Sequence, residues 1–232
     1  IPILPAGTSF TSRASFSLRD WETTVRTRPG FLFAPAALTG DALRYIARGE
    51  DQGLDMRYKC RIRSPWWRVP LTTPPDLFVS YMSGSTPRIV SNRAKVLNLN
   101  SVHGLRVQPH LRSLAQTALP VMAMSSISLL SAELVGRTYG GGVLKLEPTE
   151  AAKWLVPHAD LMKSVLSRHA ALLSRGRHLL ARGDTAGCTA IADEILINEP
   201  GSRLARDVLH EIQSARQAMV KRRATRASSK NL

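Results

Sequence analysis

Acidic residues are scarce in this chain. Against 32 lysines and arginines stand 17 aspartates and glutamates, a formal net charge of +15, and the sequence pI is about 11.0. From Leu77 to Ala132 there is no acid at all, while Arg88, Arg93, Lys95, Arg106 and Arg112 fall inside that stretch. A compact chain so charged repels itself unless a polyanion offsets the charge, which makes nucleic acid the leading partner and anionic lipid the second. Lipid is disfavoured because no basic amphipathic stretch with an aromatic anchor stands out. Cysteine is nearly absent as well. Cys60 and Cys188 lie far apart, which excludes a disulfide framework and fits a reducing, cytoplasmic setting. The most apolar span, Leu119 to Val135, contains Pro120, Glu133 and several serines, so it reads as a buried helix and no membrane partner is expected. There is no signal-peptide pattern and no internal repeat. The first residue is Ile1, from which we expect a fragment or a processed product.

Catalytic and ligand motifs are missing in the same way. No glycine-rich turn joins a strand to a helix ahead of an acid-bearing strand, so no nucleotide-like cofactor is expected in this chain. Gly140-Gly141-Gly142 is not followed by Gly-Lys-Ser/Thr and is no phosphate loop. No His-Glu or Cys pair has ligand spacing, so no metal site is expected. Neither catalytic nor cofactor-binding residues are assigned.

What is present reads as α+β, a small and mostly antiparallel β region followed by a C-terminal helical bundle. Phe10–Leu18 alternates loosely and is a strand candidate; Arg28-Pro29-Gly30 is a turn before the apolar run Phe31–Ala34. Thr39-Gly40-Asp41 precedes a helix over Ala42–Ala47 that Gly49 and Gly53 are expected to break. Leu77–Tyr81 and Arg88–Val90 are β-rich runs around the turn-former Ser83-Gly84-Ser85. Val96–Asn100 alternates cleanly, which predicts a strand with Leu97 and Leu99 on one face and Asn98 and Asn100 on the other. His110–Leu119 and Val121–Val135 are helix candidates, the second closed by Gly136, and Val143–Leu146 is a short strand. Pro148-Thr149-Glu150 opens a helix through Trp154. Further on, Leu161, Val165 and Leu172 share a helical face; Cys188, Ile191 and Ile195 fit a second helix; Leu204, Val208, Ile212, Ala215 and Met219 fit a third. We therefore expect a mixed α/β target-binding domain over residues 1–157, a helical bundle over 158–220 and a basic, disordered tail over 221–232 carrying Lys221, Arg222, Arg223, Arg226 and Lys230.

The most informative stretch is Tyr58-Lys59-Cys60-Arg61-Ile62-Arg63-Ser64-Pro65-Trp66-Trp67-Arg68-Val69-Pro70, where two of the four tryptophans sit between arginines. Guanidinium forks pair with phosphate or guanine, and indole faces stack on an unstacked base or a guanidinium. If the stretch is extended, one indole points inward and the other outward. Arg61, Arg63, Arg68, Arg93 and Lys145 are candidate phosphate contacts, and Trp66 or Trp67 a stacking wedge. Asn98 and Asn100, with Asn92 and His103 nearby, have the donor–acceptor pairs that read adenine edges, although polar residues on a wet sheet face give the same pattern. Gly140, Gly141 and Gly142 would let backbone approach DNA closely, or form a plain hairpin entry.

These residues carry a family resemblance. Tyr58–Arg63 running into Pro65-Trp66-Trp67, and Ser131-Ala132-Glu133-Leu134-Val135-Gly136-Arg137-Thr138-Tyr139-Gly140-Gly141-Gly142-Val143-Leu144-Lys145-Leu146-Glu147-Pro148, resemble the target-recognition half of TaqI/Eco57I-type adenine-specific DNA methyltransferases. The segments occur in the family's order with Val102-His103-Gly104 between them, and the resemblance spans about residues 30 to 160. It implies a whole enzyme that binds S-adenosylmethionine in an N-terminal catalytic domain, flips an adenine out of the duplex and grips double-stranded DNA with this part. Thr73-Pro74-Pro75-Asp76 departs from the family's Asn/Asp-Pro-Pro-Tyr/Phe catalytic loop at both positions that matter. The expectation is thus a DNA-binding specificity part of a restriction-modification methyltransferase, with catalysis supplied in cis or in trans. Two alternatives stay open: a separate specificity subunit that docks on a catalytic partner, and a basic RNA-binding protein.

Overall fold

A computed structural model describes residues 1–5, 13–84 and 86–228, with side chains to residue 225. Its centre is a four-stranded sheet of β1 (Ser15–Phe16), β4 (Ile89–Asn92), β2 (Leu77–Ser80) and β5 (Val102–Leu105), in that spatial order. β1 runs parallel to β4 and the other pairs are antiparallel, with Phe78 opposite Val90 and Gly104. Every residue of β2 is buried, which explains why it reads as a continuous apolar run. Leu77, Val79 and Ile89 face a helical core; Phe16, Phe78, Val90 and Val102 face a second cluster with Leu4 and Trp21. Trp21 lies on α1 (Leu18–Thr24), whose start is set by a Ser17/Asp20 capping box, and its indole N–H donates to the Ile3 carbonyl at 2.9 Å. The strand predicted over Phe10–Leu18 is only β1 within the described residues, since 6–12 lie outside them, as does Ser85 of the predicted turn.

Two helices lie between α1 and β2. α2 (Gly40–Asp51) is capped by Thr39 and runs straight through Gly49, contrary to the expected break. Gly53, at φ +66, ends it, with Leu54 N–H bonding the Gly49 carbonyl and Gly53 N–H the Glu50 carbonyl. α3 (Tyr58–Arg61) is a single turn.

The helical layer begins with α4 (Arg112–Met122) and α5 (Ser126–Val135), bent by 86° at Ala123–Ser125. The predicted break at Pro120 is corrected: Pro120 sits inside α4. Proline has no N–H for the Gln116 carbonyl, and the buried Ser91 hydroxyl on β4 donates to that carbonyl instead. No single helix among the described residues is long and apolar enough to cross a membrane. A second, antiparallel sheet joins β3 (Met82–Ser83), β7 (Val143–Lys145) and β6 (Arg137–Tyr139) in that order. α6 (Pro148–Ala151) follows, then α7 (Ala159–Arg168), α8 (Ala170–Ala181), α9 (Thr185–Asn198) and α10 (Arg206–Ser228). Leu172 falls on α8 rather than on the helix of Leu161 and Val165, because the chain leaves helical geometry at His169 (φ −122, ψ 27). One apolar core runs from the sheet through Leu119, Met122 and Leu129 to Val165, Leu180, Ile191 and Ile195. The molecule is α+β.

Val96–Asn100 is not a strand; it makes one isolated bridge, Leu97 to Ile3, and Leu99 is exposed. Lys95 adopts φ +53, and the Asn92 amide bonds both the N–H and the carbonyl of Val96, so the chain turns before it can extend. The disordered tail is also wrong as far as Ser228, which is the end of α10; residues 229–232, including Lys230, lie outside the described residues. The buried stripe of α10 is displaced from the predicted one. Leu209 and Arg223 are buried while Val208 and Ala215 are exposed, because the helix sinks an arginine that a pattern of apolar residues does not register.

Candidate nucleic-acid interface

After α3 the chain passes a cis Ser64–Pro65 peptide into a turn closed by Arg68 N–H on the Pro65 carbonyl. This is not a strand, so the expected one-in, one-out arrangement of the tryptophans does not arise. Both indoles are half-buried on one wall. Trp66 lies on Gly49, where a Cβ would come within 2.6 Å of its ring, and its N–H donates to Glu50 at 2.9 Å. Trp67 meets Phe33 edge-on at 5.8 Å, and the Arg68 guanidinium lies 5.5 Å over its ring. Phe33 in turn packs on Tyr45 at 4.7 Å.

These side chains line a cleft of about 480 Å³ whose polar rim includes Arg48, Gln52 and Arg63. Phe33, Arg63 and Trp67 also line a neighbouring cleft of about 700 Å³ that reaches Arg68 and Pro70. Pro70 belongs also to a third, about 700 Å³, which brings together Asn98, Asn100 and His103 beneath Trp154. The first two clefts share a wall, and the second and third adjoin at Pro70. Arg61 stands exposed at the end of α3, beside them in the chain. Sequence reasoning missed Phe33, Tyr45 and Arg48; the i,i+3 spacing of Tyr45 and Arg48 on α2 was the available signal.

The other candidates are more engaged. Asn92 is 2% exposed, its amide donating to the Pro75 and Val96 carbonyls at 2.8 and 2.9 Å and its oxygen accepting from Val96 N–H. It has no free edge for a base. Asn98 donates to the Leu99 and Val102 carbonyls, and Asn100 is exposed. His103 Nε2 lies 2.6 Å from the Leu146 carbonyl and donates to it, since a carbonyl only accepts. Lys145 is 2.6 Å from Glu147 and 5.2 and 5.1 Å from the Tyr81 and Tyr139 rings. The hydrogen bond to Glu147, then that to Tyr81, raises its pKa well above the ordinary lysine value. Arg93 and Lys95 rim a separate cleft of about 430 Å³ with Arg112, whose Nε is 2.6 Å from Asp76. Gly140–Gly142 is the turn between β6 and β7, with Gly141 and Gly142 at φ +71 and +72.

Two further arrangements bear on chemistry. The Asp76 carboxylate of Thr73-Pro74-Pro75-Asp76 is tied to Arg112 and to Val107 N–H, so that segment braces the sheet. Among the described residues one strand pair, β1 and β4, runs parallel, and the chain leaves β1 through Ser17 into the seven-residue α1 without a glycine turn. Among the described residues no group of three or more His, Cys, Asp or Glu is arranged to hold a metal ion.

Fold and surface together define a helix-rich α+β domain with a cationic, tryptophan-walled groove. The chain belongs to the family described as Type II methyltransferase M.Eco57I, C-terminal domain, whose model matches residues 2–197. It is 30% identical to the Type II methyltransferase M.XamI of Xanthomonas campestris pv. amaranthicola over 116 residues, which is 50% of this chain and 21% of that protein. It is 26% identical to the Type II methyltransferase M.AccI of Acinetobacter calcoaceticus over 160 residues, 63% of this chain and 28% of that protein. The matched region thus spans under a third of either relative. No solved structure matches significantly.

Proposed function

We propose that this chain is the DNA-gripping, target-recognising part of a Type II DNA methyltransferase, with methyl transfer from S-adenosylmethionine performed by a catalytic region in cis or in trans. Adenine N6 is the acceptor that the sequence resemblance implies. The observation that carries the reading is a pair of adjoining clefts, one lined by Arg63, Trp67 and Arg68 and the next, past the shared Pro70, by Asn98, Asn100 and His103. The exposed Arg68 and half-buried Arg63 guanidinium groups suit phosphates, which position a duplex, and Asn100 and His103 Nδ1 are polar groups that suit base edges. Trp67, already pre-stacked by Arg68, suits an unstacked base. A carboxylate-poor surface with these groups favours a polyanion over a protein partner.

Titration of duplex DNA at several salt concentrations tests this. Non-specific binding should fall at roughly 10⁻⁴–10⁻⁶ M at physiological salt and weaken linearly in log salt. Replacing Arg63 and Arg68 with alanine should lower the slope by about 0.9 per lost phosphate contact. Absence of binding at low salt, or a flat salt response, refutes the proposal. Complete displacement of duplex by single-stranded RNA would instead identify an RNA-binding protein.

A further inference from the structure

The β6–β7 hairpin has a turn made of three glycines, and nothing lies within 4 Å of where a Cβ would stand at Gly140 or Gly141. Such a turn has no side chains to stabilise its shape, and glycine carries the largest backbone entropy into it. Its hold comes from outside. Arg223 of α10 is 4% exposed, and its Nη1 donates to the Gly142 carbonyl and lies 3.5 Å from the Gly84 carbonyl beside β3. The rest of the same guanidinium pairs with Glu133 of α5 at two points, Nε to Oε2 at 3.2 Å and Nη2 to Oε1 at 3.0 Å. Two helical turns earlier, Arg216 reaches the Thr86 hydroxyl at 3.4 Å, and Gln213 bonds Asp193 at 3.2 Å. Asp193 in turn accepts from the Ser126 N–H and hydroxyl at the start of α5. One face of α10 thus joins α5, α9, the loop after β3 and the glycine turn through buried and half-buried polar contacts.

We infer that α10, which lies beyond the residues matched by the family, is a clamp that positions the glycine hairpin for contact with DNA, with Arg223 as its positioning residue. The inference rests on the DNA-binding reading above, and it adds a requirement for a helix outside the family-matched domain. The geometry needs arginine. A planar fork reaches a carboxylate on one edge and a carbonyl on another, whereas a lysine ammonium is a single point. Glu133 balances the charge, but a carboxylate only accepts and cannot bond the Gly142 carbonyl, so the Arg223 guanidinium is the donor that joins α5 to the hairpin.

The test uses the full chain. Removing Arg223 alone leaves Glu133 buried and unpaired and risks unfolding, so the informative variant carries Glu133→Met with Arg223→Met, which replaces the ion pair by apolar packing. The chain should stay folded with its thermal midpoint lowered only modestly, by the Gly142 carbonyl left without its donor, while amide exchange at Gly140–Val143, measured without DNA, rises about tenfold for that lost bond. Duplex affinity at fixed salt should fall several-fold, and Arg223→Lys should restore neither readout. Unchanged exchange in the double variant overturns the clamp. Faster exchange with unchanged affinity overturns its positioning role. If the wild-type chain binds no duplex, the DNA reading fails separately, and the exchange data alone decide whether α10 holds the hairpin.

Discussion

Asn92 and Arg63 are both polar, and burial gives them opposite roles. The Asn92 amide is consumed by the backbone of Pro75 and Val96, whereas Arg63 stands at the rim of two joined clefts. Asn92→Leu leaves buried carbonyls without donors and should cost about 1–3 kcal/mol in chemical denaturation. It should change DNA binding only as far as it unfolds the chain. Arg63→Ala should do the reverse, with stability within about 0.5 kcal/mol of wild type and weaker DNA binding. The two cysteines make a second contrast. Burial pushes the Cys188 thiol up to about 12, so below pH 9 its reactive thiolate is a negligible fraction. Cys60 is half-buried in the wall of the aromatic cleft. Alkylation at pH 8 should label Cys60 and spare Cys188 until the chain unfolds, and duplex DNA should slow labelling at Cys60. Equal labelling of both thiols in the native protein would contradict the packing of α9.

At the scale of elements, close approach decides more than propensity. Gly49 lets α2 receive the Trp66 ring, so Gly49→Leu should leave the helix formed but displace the indole, visible as a change in tryptophan emission. Gly53 serves conformation instead. At φ +66 it meets no neighbour within 4 Å, and Gly53→Ala should cost about 1 kcal/mol through backbone strain alone. Ser91 illustrates the coupling of sheet to helix. Its hydroxyl serves the carbonyl that Pro120 cannot, so Ser91→Ala should destabilise by about 1–3 kcal/mol. The local sequence around Pro120 predicted a helix break there, because the compensating hydroxyl is 29 positions away on another element.

For the whole molecule, the +15 charge is an unfavourable term that every polyanion reduces. A duplex at about a hundred times its dissociation constant should stabilise the fold by about 2.7 kcal/mol, read as a higher thermal midpoint that added salt diminishes. Relief of the same repulsion by heparin should raise the midpoint without sequence preference. A midpoint indifferent to both would show that the arginines are already balanced within the molecule.

The α+β class, the β2 and β4 strands, the helix formed around Cys188, Ile191 and Ile195, and the grouping of Arg63, Trp66 and Trp67 on one cleft wall were legible because composition, apolar spacing and local motif carry them. Cation excess and missing catalytic motifs were legible for the same reason. What only the tertiary structure decided were the partners of polar groups. Asn92, Asn98 and Lys145 look like free readers or cations in sequence, yet backbone carbonyls and Glu147 claim them. Phe33 and Tyr45 join the tryptophans only through the folded path of α2 and the 62–70 segment, and Arg223 lies in what reads as a basic tail. A buried ion pair between residues 90 positions apart leaves no periodic signature, because its energy depends on where two helices cross rather than on the spacing along either one.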